Sequence, residues 1–321
     1  MHYHLVIFGV KDTTEDVLRH ITGKGYTVDL LVTIDPEVLS HNQVSGFSPL
    51  GEAAKELGIP VWYTKSYGFR DERSAEFFAG NSFDLGITSG WQRLIPGNVL
   101  DAFSKGIFGF HGNSGYLPFG RGRSPLNWSI ILGDTRFNLN LFRYDEEADS
   151  PNIFATEMFQ ITPYDDIRSC QYKNTIIQMR LIDRLLLADA AGEITIRRES
   201  KDFDSWYGKR TAEDGKIDFH ARTREIYNLI RGVSAPFPGA FCHAADPEAG
   251  ETGAVGADAA GEKVIVWEAK PFDEVIDFSG YAPGEIVCVF DDKPVVRTVD
   301  GSLLISRYES RLALKPGMIL E

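Results

Sequence analysis

The sequence predicts an α/β protein: an N-terminal doubly wound, Rossmann-like domain around a mainly parallel sheet, followed by a small C-terminal β-barrel-like domain. In the first half, short apolar runs alternate with segments of helical period, the pattern of a parallel sheet covered on both faces. From Lys263 onward, short strands follow one another with only turn signals between them, as in a small barrel or sandwich. The length, 321 residues of which 43% are hydrophobic, suits two domains better than one.

Each element has its own signal. Leu5 to Phe8 is a buried strand closed by Gly9, and Thr13 to Thr22 opens on a capping signal followed by apolar residues at helical spacing. Tyr26 to Ile34 reads as a second strand, Leu50 to Leu57 as a helix, Pro60 to Tyr63 as a third strand and Asp84 to Thr88 as a fourth. No Gly-x-Gly-x-x-Gly follows the first strand, so a nicotinamide cofactor is not expected. Ser89 to Pro96 is a loop, equally readable as a helix-entry turn or as a ligand-lining segment.

An apolar run, Trp128 to Leu132, precedes a strand from Asn138 to Tyr144 and an acidic segment, Asp145 to Asp149. Thr156 to Ile161 is a further strand, Thr162-Pro163 starts a helix, and the amphipathic run Ser169 to Leu187 closes the first domain. The expected boundaries are a catalytic domain over 1–190, a polar linker with one short strand over 191–205, and a β-rich domain over 206–321. Within the last, Thr223 to Gly232 is a helix and the double-proline segment Arg231 to Phe241 a rigid turn. Ala244 to Glu262, rich in Ala, Gly and acidic residues, reads as an exposed loop. The final strands are Lys263 to Trp267, Gly284 to Phe290, Pro294 to Val299 and Ser302 to Tyr308.

Composition excludes several function classes. No apolar run is long enough to span a bilayer, and the N-terminus enters a strand without a charged leader, so a soluble cytoplasmic protein is expected. Three widely spaced cysteines, Cys170, Cys242 and Cys288, fit reduced thiols and neither a disulfide framework nor a zinc cluster, and no metal is expected. With 33 Lys and Arg against 46 Asp and Glu, the net charge of −13 repels polyanions, which disfavours tRNA. A nucleotide diphosphate needs only one or two arginines and a few backbone amides, so a small anionic substrate stays open, as does a homodimer.

The chain is organised around the stretch from Gly109 to Trp128, which holds His111, glycines that admit close backbone approach, the Arg121-Gly-Arg123 turn, and Pro125 where a helix can start. One imidazole and one carboxylate, from Asp149, are what general acid–base chemistry on an amine or a carbonyl requires. The plain alternatives are a hydrogen-bonded histidine in a glycine loop and a solvated acidic run.

The same residues carry a resemblance. His111-Gly-Asn-Ser-Gly-Tyr-Leu-Pro, Arg121-Gly-Arg-Ser-Pro-Leu-Asn-Trp128 and Asp149 resemble the folate-dependent formyltransferases, whose usual form is Asn-x-His-Gly-Ser-Leu-Leu-Pro followed by Asp-Thr-Gly. Ser89 to Pro96, Tyr207 to Phe219 and Arg231 to Phe241 are similar to further family segments, with Ala212 where proline is usual. The resemblance is nearest to the branch that formylates nucleotide-linked amino sugars, and methionyl-tRNA formyltransferase is a relative.

It implies N10-formyltetrahydrofolate as co-substrate, a nucleotide-linked amino sugar as acceptor, and a place in surface polysaccharide biosynthesis. His111 would polarise the formyl group, Asp149 would accept the proton and tune His111, and Asn113 could supply an amide. Trp91, Gln92, Arg93, Leu94, Ile95 and Asp145 would line the folate, and Arg121, Arg123 and Asn127 the substrate, one arginine holding the turn while Asn127 and Trp128 pack at the helix start. Two further positions, both beside the site residues, depart from the family: Gly109 stands where an asparagine amide binds the formyl oxygen, and Pro151 where Asp-Thr-Gly has glycine. They keep open two alternatives to a sugar formyltransferase, a non-catalytic folate- or nucleotide-sugar-binding homologue and a formyl-folate hydrolase.

Overall fold

The computed structural model describes residues 1–41, 47–200, 202–245 and 261–321. They form two compact units, one of Met1–Pro125, Arg136–Gln160 and Gln171–Gly208, the other of Leu126–Thr135, Ile161–Cys170 and Lys209–Glu321.

The first unit opens β1 (His2–Phe8), α1 (Asp12–Gly23), β2 (Leu30–Ile34), α2 (Gly51–Glu56), β3 (Val61–Thr64), α3 (Glu72–Ala79), β4 (Ser82–Thr88), α4 (Gly97–Leu100) and β5 (Phe103–Asn113). A two-residue β6 (Arg121–Gly122) follows, then α5 (Pro125–Ile131), which from Leu126 on belongs to the second unit, β7 (Arg136–Arg143), β8 (Asn152–Gln160), α6 (Ile167–Ala191), which enters the first unit at Gln171, β9 (Arg197–Arg198) and β10 (Trp206–Tyr207). The main sheet runs β3-β2-β1-β4-β5-β7-β8-β9. β3 to β5 are parallel, and β7, β8 and β9 extend the sheet antiparallel. Strand order reverses between β1 and β4, so the ligand crevice of such a sheet falls at the carboxyl ends of these strands.

Local chemistry sets several of these elements. At the start of α1, the Thr14 hydroxyl accepts from Lys11 N at 3.2 Å and donates to Ser89 O at 2.6 Å, tying the helix to the end of β4. Its buried residues Val17, Leu18 and Ile21 lie at helical spacing. β2 is shorter than its sequence pattern, because the Asp29 carboxylate accepts from His4 N and Leu5 N, each at 2.9 Å, and ends the run before Leu30. The helix α3 has no place in the sequence reading. Its signal is Asp71, which accepts from Ser74 N at 3.0 Å as an N-cap.

The second unit contains α7 (Thr223–Val233) and β11 (Ala240–Ala245), β12 (Glu262–Asp273), β13 (Ile286–Phe290), β14 (Lys293–Arg297), β15 (Ser302–Glu309) and β16 (Ile319–Leu320). Its antiparallel sheet runs β13-β14-β15-β12-β11-β16 and curls until Leu320 N donates to Gly284 O and Ile286 N to Met318 O, both at 2.9 Å. The expected β-barrel-like domain is therefore present. Ile226, Ile230 and Val233 of α7 fill its core with Val264, Val266 and Ile305. Most of the loop expected over Ala244 to Glu262 lies outside the described residues, at 246–260. Among the described residues no helix is long and apolar enough to cross a membrane.

Candidate active site

The segment that reads as a glycine loop around His111 is the last part of a strand, β5, and lies wholly in the first unit. Gly112 is required there by close approach, since a β-carbon would lie 2.5 Å from Asn138 O. Side chains alternate along a strand, so residues 109, 111 and 113 share one face with their partners in β7, Phe142, Asn140 and Asn138.

His111 is 7% exposed. Its Nε2 donates to Gly120 O at 2.8 Å, and its Nδ1 stands 3.2 Å from Asp149 Oδ1. Asp149 Oδ2 accepts from Gly122 N at 3.0 Å. Burial alone would push the Asp149 carboxyl up, but the hydrogen bond and charge of His111, the Gly122 amide and the Arg121 charge outweigh it and hold the group below the ordinary aspartate value. The carboxylate is thus ionised and paired with the imidazole, the arrangement of a base and the group that orients it.

Asp149 occupies the left-handed region, with φ at 48°, which aspartate tolerates better than most residues. The bend falls at Asp149 itself, and Pro151, where the family motif has glycine, sits beyond it with its carbonyl accepting from Glu199 N at 3.0 Å. The Asp145 carboxylate braces the same loop, accepting from Glu147 N at 2.8 Å and Asn152 Nδ2 at 2.7 Å.

Arg121 is 1% exposed and holds this loop from beneath. Its Nε donates to Ala148 O at 3.1 Å, Nη2 to Glu147 at 2.9 Å and Nη1 to Asp204 at 3.1 Å, while the guanidinium stacks 4.3 Å above the Trp206 ring. β6 and β10 pair in parallel around it, and Gly120 N donates to Ser205 Oγ at 2.8 Å. Arg123 is exposed, and its charge reaches Lys11 and Tyr67. Asn127 lies in the second unit, where its amide donates to Gly232 O at 2.8 Å; Trp128 there packs 4.9 Å from the Arg210 guanidinium.

Asn113 is fully buried, with its amide donating to Phe119 O and its Oδ1 accepting from Gly115 N, so it holds its own loop in shape. In the loop after β4, Trp91 and Ile95 face the core, with Trp91 stacked 4.9 Å from Phe69, while Gln92, Arg93 and Leu94 face outward. The Arg93 guanidinium lies 5.1 Å over Tyr67, and Trp91 Nε1 is buried without a hydrogen-bond partner among the described residues. The described residues bring three potential metal ligands together at His2, His4 and Asp84, near the start of β1 rather than beside His111.

The structure adds residues that the sequence reading misses. Asn140 Nδ2 donates to His111 O at 3.1 Å, and Asn138 Nδ2 to Ser114 O at 3.0 Å, so both amides shape the strand end that carries His111. Their signal is the Asn-Leu-Asn-Leu alternation over 138–141, which puts two amides on one face of a strand. Gly109 is explained as well: the phenol of Tyr144 fills the space beside it, and Tyr144 Oη lies 2.9 Å from Thr88 Oγ1.

Comparison with known proteins matches this architecture along its length. Residues 5–178 match the family model described as formyl transferase, and residues 209–315 that of the formyl transferase C-terminal domain. Among solved structures, the N-formyltransferase from Helicobacter canadensis, in complex with folinic acid and dTDP-3-aminofucose, superposes with a TM-score of 0.64 at 14% identity, over 94% of this chain and 98% of that one. The sugar 3N-formyl transferase WlaRD, seen with dTDP and 5-N-formyl-THF, gives 0.64 at 13%, over 97% and 99%. HypX from Aquifex aeolicus, in complex with tetrahydrofolic acid, gives 0.61 at 18% over 97% of this chain, which spans only 45% of HypX. At these identities the superpositions establish the fold, and the match over more than half the sequence establishes the lineage: the chain belongs to the formyl transferase family.

Proposed function

We propose that this protein transfers a formyl group from N10-formyltetrahydrofolate to the amine of a nucleotide-linked amino sugar. The observation that carries the reading is the His111–Asp149 pair, 3.2 Å apart, with the imidazole on the end of β5 and the carboxylate on the loop after β7. The end-to-end likeness to two structures described with a folate and with dTDP or a dTDP-aminosugar supports the acceptor class.

The chemistry follows from the geometry. The acceptor nitrogen bonds to the formyl carbon while the carbonyl electron pair moves onto oxygen, and an N–H of His111, now on Gly120 O, turns to that oxygen. Asp149 accepts the proton leaving the amine, directly or through water. When the carbonyl re-forms, the bond to N10 breaks, N10 takes up the proton that Asp149 accepted, and tetrahydrofolate leaves. Gln92, Arg93 and Leu94 face the folate, while Trp91, stacked on Phe69 in the core, holds their loop. Arg123, with Lys11 beside it, meets the nucleotide phosphates, whereas Arg121, Asn113 and Asp145 build the site through the contacts described above.

The test is tetrahydrofolate release from formyltetrahydrofolate, with and without a panel of nucleotide-linked amino sugars, followed by mass analysis of the acceptor. Acceptor-dependent release with a formylated sugar is expected. Equal release without acceptor would make the protein a hydrolase, and folate binding without release in any mixture would leave a non-catalytic binder.

A further inference from the structure

Two residues before His111, and on the same face of β5, the chain has glycine. A β-carbon at 109 would lie 2.1 Å from Tyr144 Oη and 2.2 Å from its Cζ, so the phenol occupies the place where a residue-109 side chain would stand. That place is one pleat repeat from His111, about 6.6 Å along the strand.

The phenol is held from several sides. Tyr144 N donates to Ile107 O at 2.8 Å, the ring packs 5.1 Å from Phe142, and Leu117 and Ile153 complete the cluster. Its hydroxyl pairs with Thr88 Oγ1 at 2.9 Å at the end of β4, where Thr88 is 3% exposed. A threonine hydroxyl can donate as well as accept, so with Thr88 donating, the Tyr144 O–H is left for a further acceptor. Burial pushes the phenol up to about 12, the Thr88 bond opposing and the Asp149 charge adding, so the group remains a donor at any ordinary working pH.

We infer that Tyr144 is a further donor to the formyl oxygen, backed by Thr88, and that residue 109 is glycine so that the phenol can enter. The inference rests on the formyl-transfer reading and adds a group to it. As the amine nitrogen bonds to the formyl carbon, the electron pair arriving on oxygen is shared between the His111 N–H and the Tyr144 O–H, and no proton leaves the tyrosine.

Tyr144→Phe keeps the ring and removes only the donor. Infrared spectroscopy of formyl-labelled formyltetrahydrofolate bound to the protein should show the carbonyl stretch at higher wavenumber in Y144F than in wild type. The turnover of tetrahydrofolate release should fall by about 100-fold, the scale of losing one oxyanion donor. The KM for the formyl donor should stay within about threefold, since the contact strengthens only as charge develops. Thr88→Val should shift both readouts in the same direction and by less. An unchanged stretch with turnover within about threefold of wild type overturns the inference. Where no acceptor is found, the infrared comparison still decides. Failure of wild type to bind the formyl donor at all would sink the folate reading itself and this donor role with it, and is seen in wild type alone.

Discussion

At His111 both ring nitrogens face oxygen acceptors, the Gly120 carbonyl and the Asp149 carboxylate. An imidazole so placed offers an N–H to a formyl oxygen only while Asp149 keeps its orientation. His111→Ala and Asp149→Asn should each lower turnover by about 100- to 10,000-fold, the range for losing a general acid–base group, with the fold intact by circular dichroism. Turnover within tenfold of wild type for either variant would remove that residue from the proposed mechanism. The pH dependence of stability has a definite sign. Asp149 titrates lower in the folded chain than unfolded, so its contribution is fully present above the unfolded aspartate value of about 3.9 and is lost as pH falls through the lower folded value. Denaturant unfolding of wild type and D149N at stepped pH should show their difference shrinking only below about pH 4, and a difference that instead shrinks between about pH 7 and 5 would contradict the pairing.

Among the elements, the loop from Asp145 to Asp149 is the one the site depends on, and it is shaped mainly from outside itself. Arg121 ties it to Ala148 O and Glu147 while reaching Asp204 on the far side. Removing a buried partner from such a network costs about 3–5 kcal/mol when the remaining charge is stranded. Here Glu147 and Asp204 are 38% and 32% exposed and regain water, so the smaller figure of about 2 kcal/mol is expected for Arg121→Ala. Thermal unfolding would read it as a drop of roughly 4–8 °C. Turnover should fall further than the loss of folded protein explains, because Asp149 is no longer fixed against His111. A variant with wild-type turnover per folded molecule would show that Arg121 serves stability alone. This element was only half legible in the sequence. Arg121-Gly-Arg123 stands out as a motif, but nothing near it in the chain announces that one arginine is buried among Ala148, Asp204 and Trp206 while the other is exposed. Those partners come from segments separated by up to 85 residues, as with Gly120 and Ser205.

For the whole molecule, net charge is the property that bears on the proposed acceptor. A net charge of −13 works against a polyanion, since nucleic-acid affinity rises with the number of phosphates neutralised by Lys and Arg. Filter binding at about 0.15 M salt should therefore detect no retention of initiator tRNA where a nucleotide-linked amino sugar protects the protein against unfolding. Formylation of charged tRNA at rates matching any sugar would reverse the acceptor assignment. The alternation of strand and helix, the run of late strands and the His111 to Trp128 stretch were determined by the sequence alone, because periodicity, turn chemistry and motif spacing are local along the chain. The tertiary structure alone decided that His111 lies on a strand rather than in a loop. It decided too that Arg121 is a brace, and that Tyr144 fills the space beside Gly109. These facts depend on the register in which β4, β5 and β7 pair, and register brings together side chains that no window of sequence contains.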